Sequence, residues 1–240
     1  MGFGGASKGN TVVSAELPET LQPGTYRVHW AAVGLDGHFV EDEFRFAVGA
    51  EVVGAGPGEG EPIADWFAAL RKWLMLTGFA LAFGGIVAER FTATARTENP
   101  ALPPVRPWSK YAATLGFATA AVSAATLVAG LGTPAALWES RAGLAITAEA
   151  GGFAVALVLL GLRRPMWALA PLAAVAIAEG VVSHAGAESP VLGAGLTAIH
   201  VGAAGLWVGA LVHTSRTVLA WRSWPHAARW MAMSYARMAL

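Results

Sequence analysis

Residues 142–183 read AGLAITAEAGGFAVALVLLGLRRPMWALAPLAAVAIAEGVVS, and this stretch decides the fold. It holds two apolar runs, 142–162 and 166–183, joined by a turn with Arg163, Arg164 and Pro165. Each run is close to the ~20 residues an α-helix needs to cross a ~30 Å hydrocarbon layer. In that layer every backbone N–H and C=O must be paired within the protein, so consecutive runs of this kind read as spanning helices. The same pattern recurs at 69–88, 111–131 and 192–212. The fold class expected is therefore mainly α, a multi-pass bundle of about five transmembrane helices. WPHAARWMAMSYARMAL, from Trp224 to Leu240, reads as the start of a sixth.

Composition agrees. Apolar residues make up 55% of the 240 and charged residues 13%, about half the ~25% of a soluble domain. Sixteen basic residues balance sixteen acidic ones, which leaves no basic surface for a nucleic acid. The absence of cysteine excludes disulfides, thiolate nucleophiles and iron–sulfur clusters. No catalytic triad, P-loop or nucleotide fingerprint is present, so neither an enzyme nor an ATP-driven pump is expected. MGFGGASKGN lacks the apolar core of a secretory signal peptide. The expectation is a fragment, or a chain targeted by its first membrane helix.

Loop charges give an orientation. Arg90, Arg96, Arg106, Lys110, Arg163, Arg164, Arg216, Arg222, Arg229 and Arg237 fall on one side of the five helices, against Arg71, Lys72 and Arg141 on the other. Basic loops stay in the cytoplasm, which puts the amino-terminal segment outside and the chain beyond residue 213 inside.

That amino-terminal segment, residues 1–48, has a different period. In GTYRVHW, Tyr26, Val28 and Trp30 alternate with Arg27 and His29, and in DEFRFAV, Phe44, Phe46 and Val48 alternate with Glu43, Arg45 and Ala47. Period-two patterning marks half-buried strands, and TVVSAEL reads as a third. Three strands are too few for a sandwich of about seven, so the segment is expected to be the remnant of a larger β-domain. A linker rich in Gly, Pro and Glu, residues 49–65, separates it from the membrane domain, residues 66–240.

Ionisable groups within spanning helices are costly and point to function. Glu149, Glu179 and His200 fall at similar depth in the outer half of three alternating helices, with His184 at the outer end of the fourth. They are expected to form one polar cluster, the histidines as metal ligands and the glutamates as charge partners that orient them. In the fifth helix, Trp207 shares a stripe with His200, while Gly202, Gly205 and Gly209 lie opposite, in a GxxxG packing pattern. Outside the membrane, Asp36-Gly37-His38 could aim a carboxylate and an imidazole at one metal ion, although Asp-Gly is equally a tight-turn dipeptide.

PGTYRVHWAAVGLDGHFVEDEFRFAVG, residues 23–49, resembles the end of the periplasmic copper-resistance protein C (CopC) domain, an Ig-like sandwich. The helical part resembles its partner family, copper-resistance protein D (CopD), in SHAG at Ser183 and IHVGAAGLWVGAL at Ile199. The order of the two parts is that of a CopC/CopD fusion. The resemblance implies that Asp36 and His38 bind Cu(II). It also implies an amino-terminal His ligand, which Met1-Gly2 does not supply. The function implied is copper binding at the outer face and copper transport across the bacterial inner membrane, with periplasmic copper chaperones as candidate partners. Two alternatives stand beside it: a haem-binding electron-transfer protein using two intramembrane histidines, and a copper sensor or scaffold that transports nothing.

Overall fold

The structure, a computed structural model, describes residues 5–7, 12–14, 21–33, 39–49 and 66–240. It divides into an amino-terminal unit of strands and a unit of helices.

In the first unit, β1 (Gly5–Ser7) pairs antiparallel with β2 (Val12–Ser14), with Ala6 opposite Val13. A second two-stranded sheet joins β3 (Gly24–Val33) to β4 (Phe39–Val48). The alternation seen in the sequence sorts the side chains of this sheet. Tyr26 stacks on Phe46 with ring centroids 5.4 Å apart, whereas Arg27 reaches Glu43 at 3.8 Å. The Tyr26 hydroxyl donates to the Gln22 carbonyl at 2.8 Å and ties down the approach to β3. Trp30 and Phe44 keep 38% and 53% of their surface exposed, so the apolar face is only partly covered among the described residues.

The second unit contains α1 (Trp66–Glu98), α2 (Ser109–Leu131), α3 (Ala136–Glu139), α4 (Arg141–Gly161), α5 (Leu169–Val181), α6 (His184–Glu188), α7 (Leu192–Ala220) and α8 (Pro225–Ala239). Four of these, α1, α2, α4 and α7, are long and apolar enough to cross a membrane. The long helices and α5 close a ring in which α1 packs on α2, α2 on α4, α4 on α5, α5 on α7 and α7 on α1. Phe79, Ile86, Phe153, Leu172 and Val175 fill its interior.

Several boundaries differ from the sequence expectation. α1 continues ten residues past 88, because Phe91–Glu98 suits a helix and only Asn99-Pro100 stops it. Its 33 residues make about 50 Å at ~1.5 Å per residue, more than a ~30 Å core. The fourth run, expected over 166–183, is helical only over α5, thirteen residues or about 20 Å. Turns after Pro165 shorten its start and a new helix truncates its end. There Ser183 accepts a hydrogen bond from the Gly186 N–H at 2.9 Å and donates to the Gly180 carbonyl at 2.8 Å, starting α6. The expected sixth helix forms as α8 from Pro225, but its fifteen residues include Arg229 and Arg237 and it lies outside the membrane-length set. It packs against α7 and α1, with Met231 buried.

Candidate functional site

Glu149 in α4 and Glu179 in α5 are each only 5% exposed. Lys72, two turns into α1, extends to them. Its Nζ lies 2.5 Å from both Glu179 carboxylate oxygens, and Glu149 lies beside Glu179. Three elements of the ring thus meet in one charged cluster at the end that holds the N-terminus of α1. The lysine is half exposed while Glu179 is almost fully covered, so the ammonium forms the solvent side of the cluster and the carboxyls the protein side.

The chemistry follows from proton counting. Two buried carboxyl groups beside a single ammonium hold one negative charge more than it balances, so the neutral form of the set has a proton on one of them. Two carboxyls, one proton and one ammonium make a neutral set. Neutrality is what permits burial, because an unpaired charge there would cost several kcal/mol. The set can take up another cation only by giving up its proton or releasing Lys72.

Of the expected four-residue cluster, the structure brings together the two glutamates and adds Lys72 in place of the histidines. His184 is exposed at the first position of α6. His200 is exposed on α7, beside Leu196, Ile199 and Trp207, which are also exposed. Shared depth was the basis for grouping it with the glutamates, but depth leaves rotation about the helix axis open. Gly205 and Gly209 are buried and face α1, and at ~100° per residue His200 points some 140–180° away from them. Among the described residues, no group of three or more His, Asp or Glu side chains is placed to hold a metal ion. Asp36 and His38 lie outside the described residues.

Lys72 was legible in the sequence only as a charge on the wrong side of the orientation count. The structure accounts for all three such charges: Arg71 donates to Thr126 on α2 at 2.8 Å, Lys72 pairs with Glu179, and Arg141 donates to the Gly186 carbonyl at 3.0 Å. They are bonded into the fold. A further residue, His213, lies one position beyond the fifth apolar run, 192–212. α7 continues to Ala220, and His213 is 2% exposed within it, its Nε2 3.0 Å from Thr92 Oγ1. The usable signal was its spacing of four from Gly209 and eight from Gly205, on the packed stripe.

The CopC domain family matches residues 3–49 of the chain. No curated protein and no solved structure matches it. The matched segment contains β1 to β4 together with Asp36 and His38, and ends before the helical unit.

Proposed function

We propose that this chain handles copper at a membrane: the amino-terminal segment captures Cu(II) through Asp36 and His38, and the helical unit carries copper across the bilayer as its cargo. The observation that carries the proposal is the CopC match over residues 3–49 in a chain whose remainder holds four membrane-length helices. Imidazole and carboxylate suit Cu(II). The Lys72–Glu179–Glu149 set supports the transport half, because it can exchange its ammonium or its proton for an arriving cation. His184, at the start of α6, is the candidate imidazole ligand at the entry, whereas His200 on the exposed face of α7 lies off the path.

Cellular copper content, measured over a range of external copper, tests this. Cells producing the chain should differ in copper content from cells without it, and Glu179→Gln should diminish the difference. An unchanged copper content on producing the chain would sink transport and favour the sensor or scaffold reading. Undiminished Cu(II) binding by the whole chain after Asp36→Ala and His38→Ala together would show that the outer site is elsewhere.

A further inference from the structure

Ionisable side chains in the middle of spanning helices almost always face the interior of the bundle. Glu149 and Glu179 follow this rule and are buried, whereas His200 is exposed on α7. It stands eight residues after Leu192 and twelve before Val212, about 12 Å and 18 Å from the two ends of the apolar run. Its imidazole lacks the long stem by which Lys and Arg reach back to water. Within the described residues it makes no hydrogen bond or ion pair.

The surface around it is equally open. Only 17% of the most apolar stretch of α7 is buried inside the unit, against 28%, 33% and 50% for α2, α4 and α1. At ~100° per residue, Leu196, Ala203, Trp207 and Leu211 lie within ~60° of His200, and all four are exposed. The opposite face is the one that Gly205 and Gly209 press against α1. One face of α7 is therefore packed in the ring, and the other, with a polar group at its centre, is left uncovered by the described residues. Acyl chains offer the imidazole neither a donor nor an acceptor, and a polar group without a partner in hydrocarbon is destabilising.

We propose that this face of α7 meets the same face of a second copy of the chain, with the two His200 imidazoles hydrogen-bonded to one another. Two copies inserted in the same direction are related by a two-fold axis along the membrane normal, and two-fold pairs are the commonest homo-oligomers. Such an axis sets α7 beside α7, and each residue near it opposite its own copy at equal depth. A neutral imidazole carries one N–H donor and one bare nitrogen acceptor, so one ring donates to the other and the pair needs no third group. A different protein would have to bring a polar group to this depth, whereas a second copy does so by symmetry. Ala203, one turn from His200, lets the helix backbones come close, and small residues together with hydrogen bonds between helices hold helices together in lipid. Leu196, Trp207 and Leu211 supply the surrounding packing. The inference rests on the helical unit lying in a bilayer and is independent of copper.

The chain has no cysteine, so single cysteines test the contact in native membranes. Ala203→Cys should form a covalent dimer on oxidation with iodine, and Val155→Cys, half exposed on α4, should not. In liposomes holding the purified full chain alone, energy transfer between labelled copies should report self-association. His200→Leu should weaken that association about three- to tenfold, while His200→Gln, whose amide both donates and accepts, should retain it. Equal cross-linking of the two cysteine variants, or undiminished association of His200→Leu, would overturn the proposal. So would a cross-linked product of Ala203→Cys with the mass of a different partner, together with no association of the chain alone, which would assign the face to another membrane protein.

Discussion

Glu179 carries a charge that its surroundings admit only because Lys72 touches both of its oxygens. Removing one partner of such a pair strands the other, which costs about 3–5 kcal/mol when both are buried. Lys72 is half in solvent, so water takes part of the load. Lys72→Met is therefore expected to destabilise by about 1–3 kcal/mol, and Lys72→Met with Glu179→Gln by less than the sum of the two single changes. Unfolding midpoints of the four species in one detergent check this. Strict additivity would mean that the ion pair contributes nothing. Glu149→Gln should be nearly neutral for stability, because an amide can still donate to Glu179. It should diminish copper movement if the shared proton is what the arriving cation replaces.

At the scale of the elements, the α1–α7 contact depends on the absence of side chains. A Cβ on Gly209 would overlap the Ala80 carbonyl oxygen, one on Gly84 the Leu206 carbonyl oxygen, and one on Gly205 the Phe79 ring. Such close backbone approach is how helices gain packing energy where lipid offers no hydrophobic drive. Gly209→Ala is expected to force the helices apart at a cost of about 1–3 kcal/mol. Gly202→Ala, on the same helix but with nothing within 4 Å of the new methyl, should be neutral or stabilising by up to ~1 kcal/mol. Equal effects at the two positions in a thermal melt would show that the contact is not the tight one described. The GxxxG spacing Gly205–Gly209 was visible beforehand. That its partner is α1 was not, because spacing names a face and says nothing of what meets it.

For the whole molecule, orientation is the property most exposed to test. Loop charges predict that the turn at Arg163 and Arg164 lies inside and the α2–α3 connection outside. Arg71, Lys72 and Arg141, the charges that oppose this bias, are bonded to neighbouring elements. The chain has no cysteine, so single cysteines report cleanly. In intact cells, an impermeant maleimide should label Thr133→Cys, exposed beside Gly132, and leave Arg164→Cys unlabelled until the membrane is opened. The reverse pattern would invert the molecule and with it the proposed path of copper.

Sequence alone determined that this is a mainly helical, membrane-type chain behind a small β segment, because hydropathy and period are local properties that each residue carries by itself. It also singled out Glu149 and Glu179, since a carboxylate in an apolar run is conspicuous without any knowledge of its neighbours. Helix ends were less legible: hydropathy follows the bilayer, whereas α1 and α7 run on until Asn99-Pro100 and Trp221 break the backbone pattern. Tertiary structure alone decided the company each residue keeps. Packing set the glycine face of α7 against α1 and so left the opposite face, with His200, outside the ring; it also brought Lys72 across to two carboxyls from other helices and buried His213 against α1. A linear pattern fixes depth along a helix, and only packing between helices fixes azimuth.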